Sequence, residues 1–288
     1  MITVKRDAEV PPVITLVHDA QAPRPDLAPP TRRFGGWQLG TAVVVIVALH
    51  VIAVRETEFS LVTLIDGRQG MMNFLAEAFP PDLDWSDTLW PGLQATGITL
   101  WIGLLGTTLS IPTSALFAVL ASRTTTPHPV VYQVSRAILS FLRAVPDVVF
   151  ALIFVTAVGL GPFPGVLALI FHNTGVMAKL WAEAIEEIDP GPSEALRTVG
   201  ANRTQIVANA TFPQVIPQLF GLLLYRFDVN VRSSLVLGLV GAGGIGLLIN
   251  QSIKSFQFDA MLTYILIVLV LIIAVDLFSA GVRKKLAL

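Results

Sequence analysis

Residues 88–122 carry no charged side chain, and neither do residues 35–54 or 148–178. At about 1.5 Å per helical residue, roughly 20 residues cross a hydrocarbon core. With 53% of its 288 residues hydrophobic and 14% charged, the chain has too little polar surface to hide such runs in water. In lipid, each segment must satisfy its own backbone polar groups, which favours helices over open strands. The expectation is an all-α polytopic membrane protein with spans near 36–54, 92–121, 136–160, 164–186, 213–237 and 260–282. The third and fourth are divided at Gly159-Leu-Gly-Pro-Phe-Pro-Gly165, a glycine and proline cluster that reads as a tight hairpin.

An even number of spans puts both termini on one side, and basic residues near span ends select it. Arg32, Arg33, Arg123, Arg197, Arg203, Arg283, Lys284 and Lys285 fall on one side, against Arg55, Arg68 and Lys254 on the other. Both termini are therefore expected in the cytoplasm of a multi-pass membrane protein surrounded by lipid. Three regions follow. Residues 1–34 form a proline-rich tail of mixed charge, expected to be flexible; residues 35–87 comprise the first span and an acidic external loop; residues 88–288 form the core. Within the loop, a short interfacial helix is expected near 71–79. A net charge of −1 with no basic run offers nothing to nucleic acid, and the absence of cysteine removes disulfide and thiolate chemistry. The histidines at 18, 50, 128 and 172 lack ligand spacing, so no metal site is expected.

Between the fourth and fifth spans lies a polar insert. Pro190-Gly-Pro192 ends one helix, Ser193 is placed to cap another, and Glu194 falls in its first turn, where a carboxylate favours the positive end of the dipole. Ala195, Leu196 and Val199 form an apolar ridge beside Arg197, and Gly200 permits a sharp change of direction before Ala201 and Arg203. Such a knob near 193–203 suits a groove on another protein; an amphipathic helix lying on the membrane is the plainer alternative.

Glu194-Ala195, Gly200 and Pro213 resemble the EAA signature of bacterial ABC importer permeases. Leu196, Ala210 and Phe212 depart conservatively from that pattern. Arg143-Ala-Val-Pro-Asp147, Val158-Gly-Leu-Gly-Pro162, His172-Asn-Thr-Gly-Val176, Ile188-Asp-Pro-Gly-Pro192 and Tyr225-Arg-Phe-Asp228 are similar, in order, to phosphonate-family permeases, from about Trp37 to the C-terminus. The resemblance implies a type I ABC importer permease fold in a bacterial cytoplasmic membrane. It implies a homodimer with a second copy of the chain, two ATP-binding subunits that hold ATP and Mg, and an external phosphonate-type solute-binding protein. It implies no cofactor in this chain, which has no G-x-x-x-x-G-K-[ST] loop of its own. The transported solute would be phosphonate, phosphite or hypophosphite, with methionine or a similar solute as the alternative.

Charges within the spans are costly and mark cavities or protein contacts. Arg226 lies about 20 Å along the fifth span from Pro213, which places it in the outer half. It either lines an anion route with Asn230 and Ser233, or pairs with another span. Arg232 belongs to the same candidate pathway, although Asp228, one turn away, can simply neutralise it. Arg143 with Asp147 and Lys179 with Glu183 repeat that spacing. Gly241-Ala-Gly-Gly-Ile-Gly246 fits a dinucleotide fingerprint but has no surrounding βαβ pattern, so Gly241, Gly243, Gly244 and Gly246 read instead as an outer gate or re-entrant turn.

Overall fold

A computed structural model describes residues 36–285, and every regular element among them is helical. The tail at 1–34 lies outside the described residues. The chain divides into two units between Asp66 and Gly67. The first contains α1 (Gly36–Glu56) and α2 (Leu61–Asp66), and Trp37–Asp66 is long and apolar enough to cross a membrane.

The second unit opens with α3 (Arg68–Ala78), where an interfacial helix is expected, and a π-helical turn, Trp85–Leu89, that leads into α4 (Trp90–Ala121). Asp84 caps that turn. Its carboxylate accepts from the Ser86 hydroxyl at 2.7 Å and from the Ser86 and Asp87 amides at 2.8 and 3.1 Å, and these bonds hold it below the usual carboxylate range. There follow α5 (Pro129–Ala144), α6 (Asp147–Val158), α7 (Pro162–Glu186), α8 (Gly191–Thr198), α9 (Arg203–Ile206) and a second π-helical turn, Val207–Thr211. α10 (Phe212–Leu239), α11 (Ile245–Lys254) and α12 (Phe258–Lys285) complete the unit.

Among the described residues, five stretches are long and apolar enough to span, with a sixth if α5 and α6 count together. The expected third span at 136–160 is thus corrected: α5 and α6 meet at 83°. Pro146 disfavours the helical conformation in the residue before it and contributes no amide donor; Val145 is extended and the helix stops. His172 of α7 takes up the freed carbonyl, with its Nδ1 3.0 Å from Val145 O. The break also parts Arg143 from Asp147, and no ion pair joins them among the described residues; Lys179 and Glu183 do pair, at 3.6 Å.

α4 is the spine. Without side chains, Gly103 and Gly106 let α10 and α7 approach closely: a Cβ on Gly106 would stand 2.5 Å from Leu169 Cβ, and one on Gly103 would stand 2.8 Å from Val231 Cγ2. Ile102, Leu169, Ala151 and Leu237 close the core around them. At the end remote from α8, α12 packs on the start of α4 and α3 packs on α12. Phe74 meets Phe258 edge to face at 4.9 Å, and Thr263 donates to Asp82 O at 2.6 Å.

Candidate functional site

Ser234 of α10 donates to Thr99 O at 3.0 Å, Asn230 donates to Thr107 Oγ1 at 2.7 Å, and Asn173 of α7 donates to Ser110 Oγ at 2.5 Å. A turn further along α4, Thr113 and Thr174 share a hydrogen bond of 2.7 Å. These small polar groups recur along one side of α4, so α7 and α10 are joined to it by a ladder rather than by apolar packing alone.

Arg226 enters the ladder from α10. Its Nε donates to Asn173 Oδ1 at 2.7 Å, and the residue is 8% exposed. Its two terminal nitrogens make no hydrogen bond within the described residues. A guanidinium so placed has one edge fixed and a fork of donors available for a planar or tetrahedral oxyanion. Among the described residues its hydrogen-bond partner is a neutral amide; no ion pair forms at contact distance, although the Asp147 carboxylate of α6 lies near enough to act on its charge.

Asn173 ties Arg226 to the level of Ser110, about 30 Å along α4 from Trp90 but only about 16 Å from Ala121. Arg226 therefore lies level with the part of α4 nearer α8, and midway along α10. The count from Pro213 was sound, but α4 with its π-helical turn is 37 residues long, so the bundle is deeper than one span suggests.

The other pathway candidates separate. Asn230 is fully enclosed, with its Oδ1 unpartnered. Ser233 is half-buried. Arg232 lies on another face, 2.6 Å from Asp228 and 3.8 Å from Asp276 of α12, so the neutralising pair exists and has a third member.

The glycine segment forms the turn between α10 and α11, with Gly241, Gly243 and Gly244 at positive φ. Gly241 O accepts from Gly161 N of the α6–α7 hairpin at 3.0 Å, and Ile245 N donates to Thr99 Oγ1 at 2.9 Å. Gly246 packs against α10 so tightly that a Cβ would fall 2.1 Å from Leu235 O. Thr99 is about 14 Å along α4 from Trp90. The turn thus follows directly on the end of α10, level with Thr99, and α11 and the start of α12 continue past it.

In the insert, Ser193 does not cap. Pro190 holds that position without a side-chain bond, because the helix starts three residues earlier than expected. Glu194 remains in the first turn. Ala195 and Val199 face outward, Val199 with 77% exposure, while Leu196 turns partly inward. Gly200 takes φ +81° and ends the knob. Ala201 is half-buried beyond it, and Asn202 then caps α9 through a reciprocal box with Gln205, a second start the sequence reading missed. Arg197 is exposed, whereas Arg203 donates to the carbonyls of Thr124 and Thr126.

Residues 110–287 match the family described as binding-protein-dependent transport system inner membrane component, and the chain belongs to it. It is therefore an integral inner-membrane protein. The chain is 38% identical over 257 residues to the phosphite transport system permease protein PtxC of Stutzerimonas stutzeri, covering 88% of this chain and 92% of that protein. It is 40% identical to the phosphate-import permease protein PhnE of Mycolicibacterium smegmatis over 82% of this chain, yet spans only 44% of that relative's length. The methionine import permease MetP of Bacillus subtilis matches at 26% over half of the chain. Among solved structures, the inward-facing MetNI methionine ABC transporter aligns with a TM-score of 0.56 at 21% identity, covering 75% of this chain and 98% of that one. A bacterial alginate ABC transporter aligns with 0.57 at 16%, covering 86% and 99%. These likenesses show a type I ABC importer permease fold. Permeases of this kind work with ATPase and solute-binding partners and perform transport rather than covalent chemistry.

Proposed function

We propose that the chain is the permease of an ABC importer for phosphonate or a reduced phosphorus oxyanion such as phosphite or hypophosphite. The carrying observation is the buried Arg226 fork, held at one edge by Asn173 and otherwise free. An arginine that stays charged at any physiological pH suits an oxyanion better than a zwitterion. The names of the phosphorus-transporting relatives support the same solute class, and the weaker match to MetP does not favour methionine.

In this reading two copies of the chain face one another. Two ATP-binding subunits, carrying ATP and Mg, grip the α8 knobs through Glu194, Ala195, Arg197 and Val199, and an external binding protein delivers the anion. The α8 end and both termini are cytoplasmic. Closure of the ATPase pair moves α8, and the glycine turn at Gly241–Gly246 lets the anion pass from the far side toward Arg226. The test is ATPase activity of the reconstituted complex, titrated with methylphosphonate, phosphite, hypophosphite, phosphate and methionine in the presence of the binding protein. Selective stimulation by a phosphorus oxyanion is expected; stimulation by methionine alone would refute the assignment.

A further inference from the structure

At the α8 end, where the apolar spans finish, a charged cluster joins four elements. Glu186, at the end of α7, accepts from Arg123 N at 2.7 Å and from Arg136 of α5 at 3.3 Å through both carboxylate oxygens. Arg136 also donates to Ala121 O, the last residue of α4, at 3.1 Å. Arg123 donates to the Tyr132 hydroxyl at 3.0 Å, and the two guanidinium groups lie 5.7 and 4.8 Å from the Tyr132 ring centroid. From the other side Arg203, rooted in the capped start of α9, clasps the carbonyls of Thr124 and Thr126. The short α4–α5 connection is thus held by α7 on one flank and by the loop after α8 on the other. It has internal bracing too, with Thr126 N bonded to Ser122 O at 2.9 Å and Thr125 Oγ1 to Val119 O at 2.7 Å.

The consequence lies at the far end of α5. That helix is continuous from Pro129 to Ala144 and then breaks at Val145 and Pro146, where His172 holds the loose carbonyl beside Asn173, the partner of Arg226. A push on the α4–α5 connection therefore reaches the break through one rigid helix about 24 Å long.

We propose that Glu186 and Arg136 are positioning residues that lock the α4–α5 connection to the α7 end, so that movement of the coupling loop, passed on by Arg203, enters the broken span through α5. The proposal rests on the reading of α8 as the ATPase-contacting helix.

The test uses the whole importer in proteoliposomes, with phosphite uptake measured per ATP hydrolysed. Glu186→Gln and Arg136→Ala are each expected to assemble with the ATPase subunit and hydrolyse ATP while uptake per ATP falls about five- to tenfold, the scale of a modest coupling energy between sites. The double variant should fall no further than the worse single one, and Arg136→Lys should recover part of the loss. Unchanged uptake per ATP, or losses that multiply in the double variant, would overturn the proposal. Because the chain has no cysteine, Arg136→Cys with Glu186→Cys offers a second route should the first variants not assemble. Joining the pair with a flexible bis-maleimide should restore uptake per ATP, and failure to restore it in an assembled complex would also overturn the proposal. If the unmodified complex shows no ATP-driven uptake, the importer reading itself fails, which is a separate result.

Discussion

Replacing Arg226 by Gln removes the charge while keeping a side chain able to reach Asn173. In the parent chain the Nε edge is spent on Asn173 at 2.7 Å, which leaves the two terminal nitrogens for a ligand. Hydrogen bonds to charged partners are worth about 1.5–3 kcal/mol. At about 1.4 kcal/mol per factor of ten, losing that contact should lower uptake of phosphite by roughly 10- to 150-fold. Arg226→Lys should fall between, since an ammonium keeps the charge but loses the fork. The assay is initial uptake by cells whose sole phosphorus source is phosphite, with permease abundance in the membrane measured alongside. Asn173→Ala serves as the structural control: it frees the guanidinium without removing it, so it should cost less than Arg226→Gln. Full uptake by both Arg226 variants at normal abundance would refute the reasoning and leave Arg226 as a packing residue.

Gly246→Ala would set a Cβ 2.1 Å from Leu235 O, a backbone atom that cannot swing aside. Overpacking of this kind costs about 1–3 kcal/mol, so thermal denaturation in detergent should drop by several degrees, whereas Gly97→Ala in open space should not lower it. Val199→Glu alters a residue that is 77% exposed; the chain should fold normally yet lose co-purification with its ATPase subunit, and retained co-purification would remove the knob from the interface. Asp84 has a lowered pKa, first from the Ser86 hydroxyl and then from the Asp87 and Ser86 amides. A depressed carboxylate stabilises above its unfolded pKa and loses that contribution as pH falls through the folded value. Amide protection factors at 85–89 should therefore hold at neutral pH and decline below about the ordinary value of 3.8, a step that Asp84→Asn should abolish.

The apolar runs made the helices legible because lipid leaves a backbone few alternatives. The same physics explains what they concealed. Span ends were counted as though every helix had one thickness, but α4 runs past the glycine turn in one direction and past Arg226 in the other. Depth became visible only when Thr99 and Ser110 were seen to bond to residues far along the chain. Pro146 was recognisable as a helix breaker, yet nothing local specifies whether a proline kinks a span or ends it. The outcome depends on a distant partner for the freed carbonyl, and His172 supplies one.

The contrast between Arg226 and Arg232 makes the same point about function. Both are arginines on α10, six residues apart, and spacing alone gave Arg232 an obvious neutraliser in Asp228 while leaving Arg226 without one. Packing sharpened that difference: Arg232 acquired a second carboxylate in Asp276, whereas Arg226 was enclosed with an amide as its hydrogen-bond partner and Asp147 acting only from beyond contact distance. Burying a cation without a counter-ion is costly. A fold that retains such a group beside a broken span gains from the cost only when an anion arrives to offset it. That is the physical reason to look for the solute at Arg226 rather than at the better-satisfied charges around it.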